Sequence, residues 1–145
     1  MQEQHERLHA LPMGMTPHYF TTGAGAGVSA FELVSFDRAL REAGFADYNL
    51  LRVSSILPPF AEHRSQVALP KWSLLPIAYG VFTSNTEGAK IAAAVSYAQP
   101  TDTGAVGVIM ETEGYMTERE AHERVIAMAE EAMEDRNLKL HALRS

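Results

Sequence analysis

Two adjacent serines stand between an apolar, strand-like segment and a pair of prolines, an arrangement that can break a peptide bond. Ser54 and Ser55 follow the apolar run, and Pro58 and Pro59 come shortly after them. If a strand holds the chain up to Ser54 and the prolines then bend it, the intervening peptide is strained and the Ser55 hydroxyl can attack the Ser54 carbonyl. The pattern predicts self-cleavage between Ser54 and Ser55, although a serine pair alone does not establish it.

One aspartate could bind a cationic group. Asp37 lies four residues after Leu33 and three before Leu40, near the apolar stripe of a predicted helix. A carboxylate in that position needs a partner, because burying an unpaired charge is unfavourable. Either an internal cation such as Arg52 or a bound ligand could supply it, and a half-solvated carboxylate at the helix edge is the alternative.

Two further polar side chains occupy strand positions from which they could act. Glu111 ends an apolar run at 106–110, where partial desolvation would favour the protonated form and let the carboxyl act as an acid. A surface glutamate at a strand end is the alternative. Asn49 lies six residues before Ser55, on the strand face expected to point inward, where its amide needs hydrogen-bond partners. A purely structural hydrogen-bonding role is the alternative for Asn49.

Local patterns predict the elements that must position these residues. Apolar spacing predicts helices at 30–43 and from 117 to about 135, with capping boxes at Ser29/Glu32 and Thr117/Glu120. Strands are predicted at 18–22, 47–54, 77–83, 90–97, 105–111 and 138–142, with an irregular loop at 58–76 that contains Trp72. The short connections after 77–83 and 90–97 predict an antiparallel meander.

Composition bounds the class of protein. A chain of 145 residues with 46% hydrophobic residues fits one domain, predicted at 16–145 after a flexible tail at 1–15. No apolar run approaches the roughly 20 residues of a membrane span, and the first residues lack a secretion signal, so we expect a cytoplasmic protein. The net charge of −6 argues against nucleic acid as a partner. Because the chain has no cysteine, disulfides and thiolate chemistry are excluded.

Two other motifs suggest functions that their context does not support. His5 and His9, with Glu6 between them, match a zinc metalloprotease pattern, but they lie in the polar tail and no convincing third ligand follows. The glycine-rich segment at 23–27 precedes a helix, yet it has neither the third glycine of a dinucleotide site nor a phosphate-binding lysine. We therefore predict no metal and no nucleotide.

Three motifs in succession resemble those of one known family. The segment at 49–59, Asn-Leu-Leu-Arg-Val-Ser-Ser-Ile-Leu-Pro-Pro, closely resembles the processing segment of pyruvoyl-dependent arginine decarboxylases. Ser-Phe-Asp-Arg-Ala-Leu at 35–40 and Ile-Met-Glu-Thr-Glu-Gly at 109–114 are similar to two other motifs of that family, in the expected order. The resemblance covers about residues 16–135.

The resemblance implies a role for each candidate residue. Ser55 would become a covalent pyruvoyl group after cleavage from Ser54, and Glu111 would be the catalytic proton donor, with Glu113 as its alternative. Asn49 would lie in the active site. Asp37 would bind the substrate guanidinium, whose planar fork suits a carboxylate. The implied substrate-binding set is Asp37, Leu40, Tyr48 and Asn49.

The family's fold and activity follow as further expectations. Its members are α/β proteins of the α+β type, sandwiches with a mainly antiparallel sheet and two principal helices. They assemble as homotrimers or dimers of trimers with active sites at subunit contacts. The implied reaction converts L-arginine to agmatine and CO2 through a Schiff base with the pyruvoyl group, which would serve polyamine biosynthesis or acid resistance. The same chemistry on another amino acid and an unprocessed, non-catalytic oligomeric relative stay open as alternatives.

Overall fold

The computed structural model describes residues 16–145, which form an α+β fold. Helix α1 spans Glu32–Ala43 and helix α2 spans Glu118–Glu134, so both predicted helices are confirmed. The strands are β1 (Tyr19–Phe20), β2 (Asn49–Arg52), β3 (Ile56–Leu57), β4 (Glu62–His63), β5 (Leu74–Ile77), β6 (Ala92–Pro100), β7 (Gly107–Gly114) and β8 (Leu140–Arg144). The predicted tail at 1–15, with His5 and His9, lies outside the described residues.

The largest sheet is antiparallel and carries α2 on one face. Its strand order is β3-β7-β6-β8. Residues four apart on α2, Ala121, Val125, Ala129 and Met133, are buried, and the last two join Ala98 of β6 and Val108 of β7 in the core cluster. The buried Ser96 hydroxyl donates to the Val125 carbonyl at 2.7 Å. An apolar helix face against an antiparallel sheet therefore forms the core, as the periodicity predicted.

Two short parallel strand pairs lie outside this sheet and correct the predicted meander. β2 pairs with β5, and β1 pairs with β4. The prediction of a strand at 77–83 is wrong beyond Ile77, where β5 ends, so only the β6-β7 hairpin of the meander forms. The loop predicted at 58–76 contains β4 and most of β5. These pairings join segments distant in sequence, which local alternation does not encode.

The two predicted capping boxes have different outcomes. At α2 the Thr117 hydroxyl accepts from the Glu120 N–H at 3.2 Å, and Glu120 accepts from the Thr117 N–H at 2.7 Å, which confirms the box and lowers the pKa of Glu120. The box at Ser29 is wrong, because α1 begins at Glu32 and the Glu32 carboxylate instead accepts from the Thr83 hydroxyl at 3.1 Å. Thr83, which is distant in sequence, has thus replaced Ser29 as the hydrogen-bond partner of the Glu32 carboxylate.

The glycine-rich segment at 23–27 packs along α1, which explains it without a nucleotide. A Cβ atom on Gly23, Gly25 or Gly27 would overlap the helix carbonyl oxygens of Ala43, Ala39 and Ser35, respectively. Two residues of extended chain advance about as far as one helical turn. Each alternate glycine therefore faces a small residue, alanine or serine, on the next turn of α1. The glycines allow the segment to pack closely against α1, and this packing holds the helix in position.

Gly25→Ala should destabilise the protein, because the added methyl group would displace the segment from α1. Overpacking of this kind costs about 2 kcal/mol and lowers Tm by roughly 5 °C in a domain of this size. Gly104→Ala is the matched control, since its Cβ would meet only Asp102 Oδ1 at 3.5 Å. Calorimetry measures both, and equal Tm values for the two variants would contradict the packing role.

Neither of the two helices within residues 16–145 has the length and apolar character needed to cross a bilayer.

Candidate active site

The peptide bond between Ser54 and Ser55 lies where the chain passes from one sheet to another. On one side, the Val53 N–H donates to the Ile77 carbonyl at 3.0 Å, which extends the β2-β5 ladder. On the other side, the Ser55 carbonyl accepts from the Ile109 N–H at 2.9 Å, which starts the β3-β7 ladder. The flanks are thus held by different strand partners, and each half keeps its own ladder if the bond between them breaks.

The structure brings the Ser55 hydroxyl to the Glu111 carboxylate. Ser55 Oγ lies 3.1 Å from Glu111 Oε2 and 3.3 Å from Oε1, and both residues are partly buried. The contact follows from register, because Ile109 bonds Ser55 and a strand repeats its face every two residues. The expectation that Glu111 ends its strand is wrong, since β7 continues to Gly114. A carboxylate beside a hydroxyl can take its proton.

The Ser54 carbonyl, the target of the predicted attack, already accepts a hydrogen bond. The Ile56 N–H donates to Ser54 O at 2.9 Å, closing a three-residue turn centred on Ser55. A donor on a carbonyl oxygen polarises it and stabilises the negative charge that develops there when a nucleophile adds. A carbonyl, a hydroxyl and a carboxylate, the groups that an acyl shift needs, are thus brought together by one turn and one neighbouring strand.

Asp37 lies on a different surface and is exposed, as in the alternative of a solvated carboxylate at the helix edge. It is exposed on α1, which has no buried residue, and it lines an open depression of about 550 Å3 with Arg41, Asp47 and Lys71. Arg52, the internal cation considered above, instead donates to the Tyr79 carbonyl at 3.0 Å and lies over that ring. Within residues 16–145, the Asp37 carboxylate makes no hydrogen bond or ion pair.

The second carboxylate of the depression is neutralised. Lys71 Nζ lies 2.7 Å from Asp47 Oδ2. The hydrogen bond and charge of Lys71 lower the pKa of Asp47, and Asp47 in turn raises the pKa of Lys71. Both side chains are solvent-exposed, so the pair adds little to stability. Because Lys71 pairs with Asp47, Asp37 is the carboxylate of the depression that has no ion-pair partner in the described part of the chain.

Asn49 is exposed, so its expected inward orientation is wrong, but its amide is held. Its side-chain Nδ2 donates to the Trp72 carbonyl at 2.8 Å. The inward assignment fails because β2 belongs to a two-stranded sheet with β5, in which alternation does not place a side chain in a core. The half-buried Tyr48 donates its hydroxyl hydrogen to the Leu69 carbonyl at 3.2 Å, and Leu40 is half-buried on α1.

The candidate residues thus fall into two groups. Ser54, Ser55 and Glu111 form one group, whereas Asp37 lines the depression and Asn49 bonds the carbonyl of Trp72, the residue after Lys71 of that depression. No hydrogen bond or ion pair in the described chain joins the two groups. Sequence reasoning missed Asp47, Lys71, the Trp72 carbonyl and the Ile56 N–H, because their roles depend on loop conformation and main-chain direction. The lone tryptophan in a long loop was the one visible signal.

No metal centre is evident in the part of the chain that the structure describes. Residues 16–145 contain no group of three or more histidine, aspartate or glutamate side chains placed to hold an ion.

The chain is similar to known proteins over almost all of its described length. Residues 18–144 match the family described as pyruvoyl-dependent arginine decarboxylase (PvlArgDC). Similar proteins of that name occur in Methanocaldococcus jannaschii, 40% identical over 129 residues (89% of this chain, 78% of the relative), and in Methanococcus vannielii, 37% identical over 124 residues (86% and 76%). Another, from Thermococcus kodakarensis, is 33% identical over 126 residues (86% and 80%).

This chain therefore belongs to the pyruvoyl-dependent arginine decarboxylase family, as its motifs indicated. It is an enzyme of the decarboxylase class, and the family name implies a covalently bound pyruvoyl group as its cofactor.

Proposed function

We propose that this chain cleaves itself between Ser54 and Ser55 and then decarboxylates L-arginine to agmatine and CO2. The observation that carries the proposal is the hydrogen bond from Ser55 Oγ to the Glu111 carboxylate, at the crossover between two sheets. The names of the relatives supply the substrate. The contacts support it, because a hydroxyl, a carboxylate and a hydrogen-bonded carbonyl lie together at the proposed cleavage site.

Processing follows from these contacts. Glu111 takes the hydroxyl proton as Ser55 Oγ adds to the Ser54 carbonyl carbon, while the Ile56 N–H stabilises the developing oxyanion. The C–N peptide bond breaks and its nitrogen takes up a proton, which leaves an ester between the two residues. Loss of the Ser55 Cα proton and cleavage of its Cβ–O bond release Ser54 as a free carboxylate. Addition of water and loss of ammonia then convert residue 55 into the pyruvoyl group.

The surroundings of Ser55 fit that group. Its side chain is small and partly buried, it faces a carboxyl, and its own carbonyl is fixed by the Ile109 N–H. When the pyruvoyl group is in place, it supplies a ketone that withdraws electrons from a bound amine. Glu111 remains beside residue 55 and can deliver a proton to the substrate carbon that has lost CO2.

Asp37 is proposed to bind the guanidinium of arginine. It is the unpaired carboxylate of the depression within the described residues, since Lys71 neutralises Asp47. A guanidinium presents two parallel N–H donors that match a carboxylate, and a charge-assisted pair of this kind is strong. Leu40 and Tyr48 are proposed to line the aliphatic part of the substrate, with Asn49 closer to the reacting end.

Assembly is proposed to join the two groups of residues. Helix α1 has no buried residue in the single chain, and Phe31 and Leu33 are 72% and 77% exposed at its start. An apolar face of this kind favours burial against another copy. We propose a homotrimer or a dimer of trimers, with the 16–145 domains forming the family's sandwich and Asp37 of one copy facing Ser55 of a neighbour. Light scattering with size-exclusion chromatography tests the assembly.

Intact mass of the natively expressed protein, combined with assay of CO2 and agmatine from L-arginine, tests the function. The proposal expects two pieces, 1–54 and 55–145, with a mass that shows a pyruvoyl group on the second. A persistent full-length chain would favour the non-catalytic relative. Cleavage accompanied by turnover of a different amino acid would favour the alternative substrate.

Asp37→Asn should impair arginine turnover without affecting cleavage of the chain. Loss of a charge-assisted pair worth about 1.5–3 kcal/mol lowers kcat/KM for arginine by roughly 10- to 100-fold. Steady-state kinetics measures this, and Glu130→Gln, which removes the same charge from an exposed position on α2, is the control. Nearly intact turnover in the Asp37 variant would show that the guanidinium is held elsewhere.

A further inference from the structure

Trp72 has a backbone conformation that its side chain disfavours. Its φ is +63°, in the left-handed region that glycine and asparagine adopt readily and bulky residues rarely adopt. The residue is 77% exposed, so burial of the ring offsets little of the cost. Such a conformation persists only where surrounding contacts impose it, and it occurs often at functional sites.

Contacts with 47–49 impose the conformation from both sides. The Trp72 N–H donates to the Asp47 carbonyl at 2.6 Å, and the preceding Lys71 forms its ion pair with the Asp47 side chain. On the far side, the Ser73 carbonyl accepts from the Asn49 N–H at 2.9 Å, where the β2-β5 pairing begins. The turn is therefore tied to the β2 end that carries Asn49.

The left-handed turn at Trp72 places its carbonyl against the side chain of Asn49. The Trp72 carbonyl accepts from Asn49 Nδ2 at 2.8 Å. A carboxamide has its oxygen and its nitrogen on opposite sides, so a bond that fixes Nδ2 also fixes where Oδ1 and the second N–H point. Without the left-handed residue, the carbonyl at position 72 would point elsewhere and Asn49 would lose this constraint.

We propose that Trp72 is a positioning residue, whose left-handed main chain orients the Asn49 carboxamide toward the substrate. The proposal rests on the proposed function, in which Asn49 lines the substrate site. It assigns the effect to the backbone of residue 72 and gives the indole no part in it. A main-chain role predicts that glycine at position 72 preserves more activity than valine, whereas a role of the indole predicts equal losses, because both substitutions remove the ring.

The discriminating comparison is Trp72→Gly against Trp72→Val. Both remove the indole, but glycine adopts a positive φ freely whereas a β-branched residue does so at high cost. We expect kcat for arginine to be at least about tenfold higher in the glycine variant than in the valine variant. Equal losses in the two variants would overturn the proposal and assign the effect to the indole. If the valine variant does not fold, the activity order Gly, then Asn, then Ala tests the same dependence on φ.

A second measurement tests whether the Asn49 side chain is held in place, and it does not depend on an activity assay. Exchange of the Asn49 side-chain amide protons, followed by NMR and assigned with Asn49→Ala, should be slow in the glycine variant. It should be at least about fivefold faster in the valine variant, because the acceptor is lost. Equal exchange rates would overturn the proposal.

A double-mutant cycle separates positioning from general damage. If Trp72 acts through Asn49, Trp72→Val should lower kcat little further in an Asn49→Ala background. Full additivity would overturn the proposal. Wild-type protein assayed in parallel keeps the two hypotheses distinct: an uncleaved, inactive wild type rejects the proposed function together with this inference. An active wild type with equal glycine and valine variants rejects only the inference.

Discussion

Ser55→Ala should leave a single full-length chain and abolish arginine turnover. The variant lacks the hydroxyl that lies 3.1 Å from Glu111, so neither the ester nor the later ketone at residue 55 can form. The expected loss of turnover is at least about 10⁴-fold, the order seen when a nucleophile is removed from an enzyme. Intact mass after native expression measures cleavage, and CO2 release from labelled arginine measures turnover.

Ser54→Ala is the matched control for the neighbouring serine. It keeps the Ser54 carbonyl, the Ile56 N–H that bonds it and the Ser55 hydroxyl, so the chain should still split at the same bond. The first piece should then be lighter by one oxygen atom. Cleavage of the Ser55 variant, or a folded but uncut Ser54 variant, would show that the attacking group has been assigned wrongly.

Glu111→Gln should slow both cleavage and turnover. Glutamine keeps the shape of the side chain and can still bond the Ser55 hydroxyl, but it cannot take or give a carboxyl proton. General acid-base groups contribute roughly 10²- to 10⁴-fold, and we expect a loss of that size in each step. Timed mass spectra of newly expressed protein measure cleavage, and turnover is then expressed per pyruvoyl-bearing chain so that the two effects are counted separately.

Glu113→Gln provides the control two positions along the same strand. Glu113 is exposed at the end of β7, and the Ser55 hydroxyl bonds Glu111 instead. Its amide variant should cleave and turn over arginine within a few-fold of wild type. Comparable losses in the two variants would argue that general charge on β7, and not one proton carrier, supports the chemistry.

Structural features that depend only on residues close in sequence could be predicted well. Helix α2 and its Thr117 capping box are confirmed, because helical spacing and a cap are each satisfied within one or two turns. The Ser29 box failed although its local pattern was equally good, since the Glu32 carboxylate accepts from Thr83, fifty-one residues away. Propensity yields to tertiary contacts at such positions.

The amino-acid sequence by itself determined the chemical groups: the serine pair before the prolines, the aspartate on a helix and the glutamate on a strand. Only the tertiary structure decided that Ser55 meets Glu111, through pairing of β3 with β7, that Asp37 lines a separate depression, and that Asn49 bonds the Trp72 carbonyl. It also decided the left-handed turn at Trp72. The physical reason is range: helix periodicity and caps are satisfied by residues within a few positions, whereas strand register and loop conformation depend on partners far along the chain.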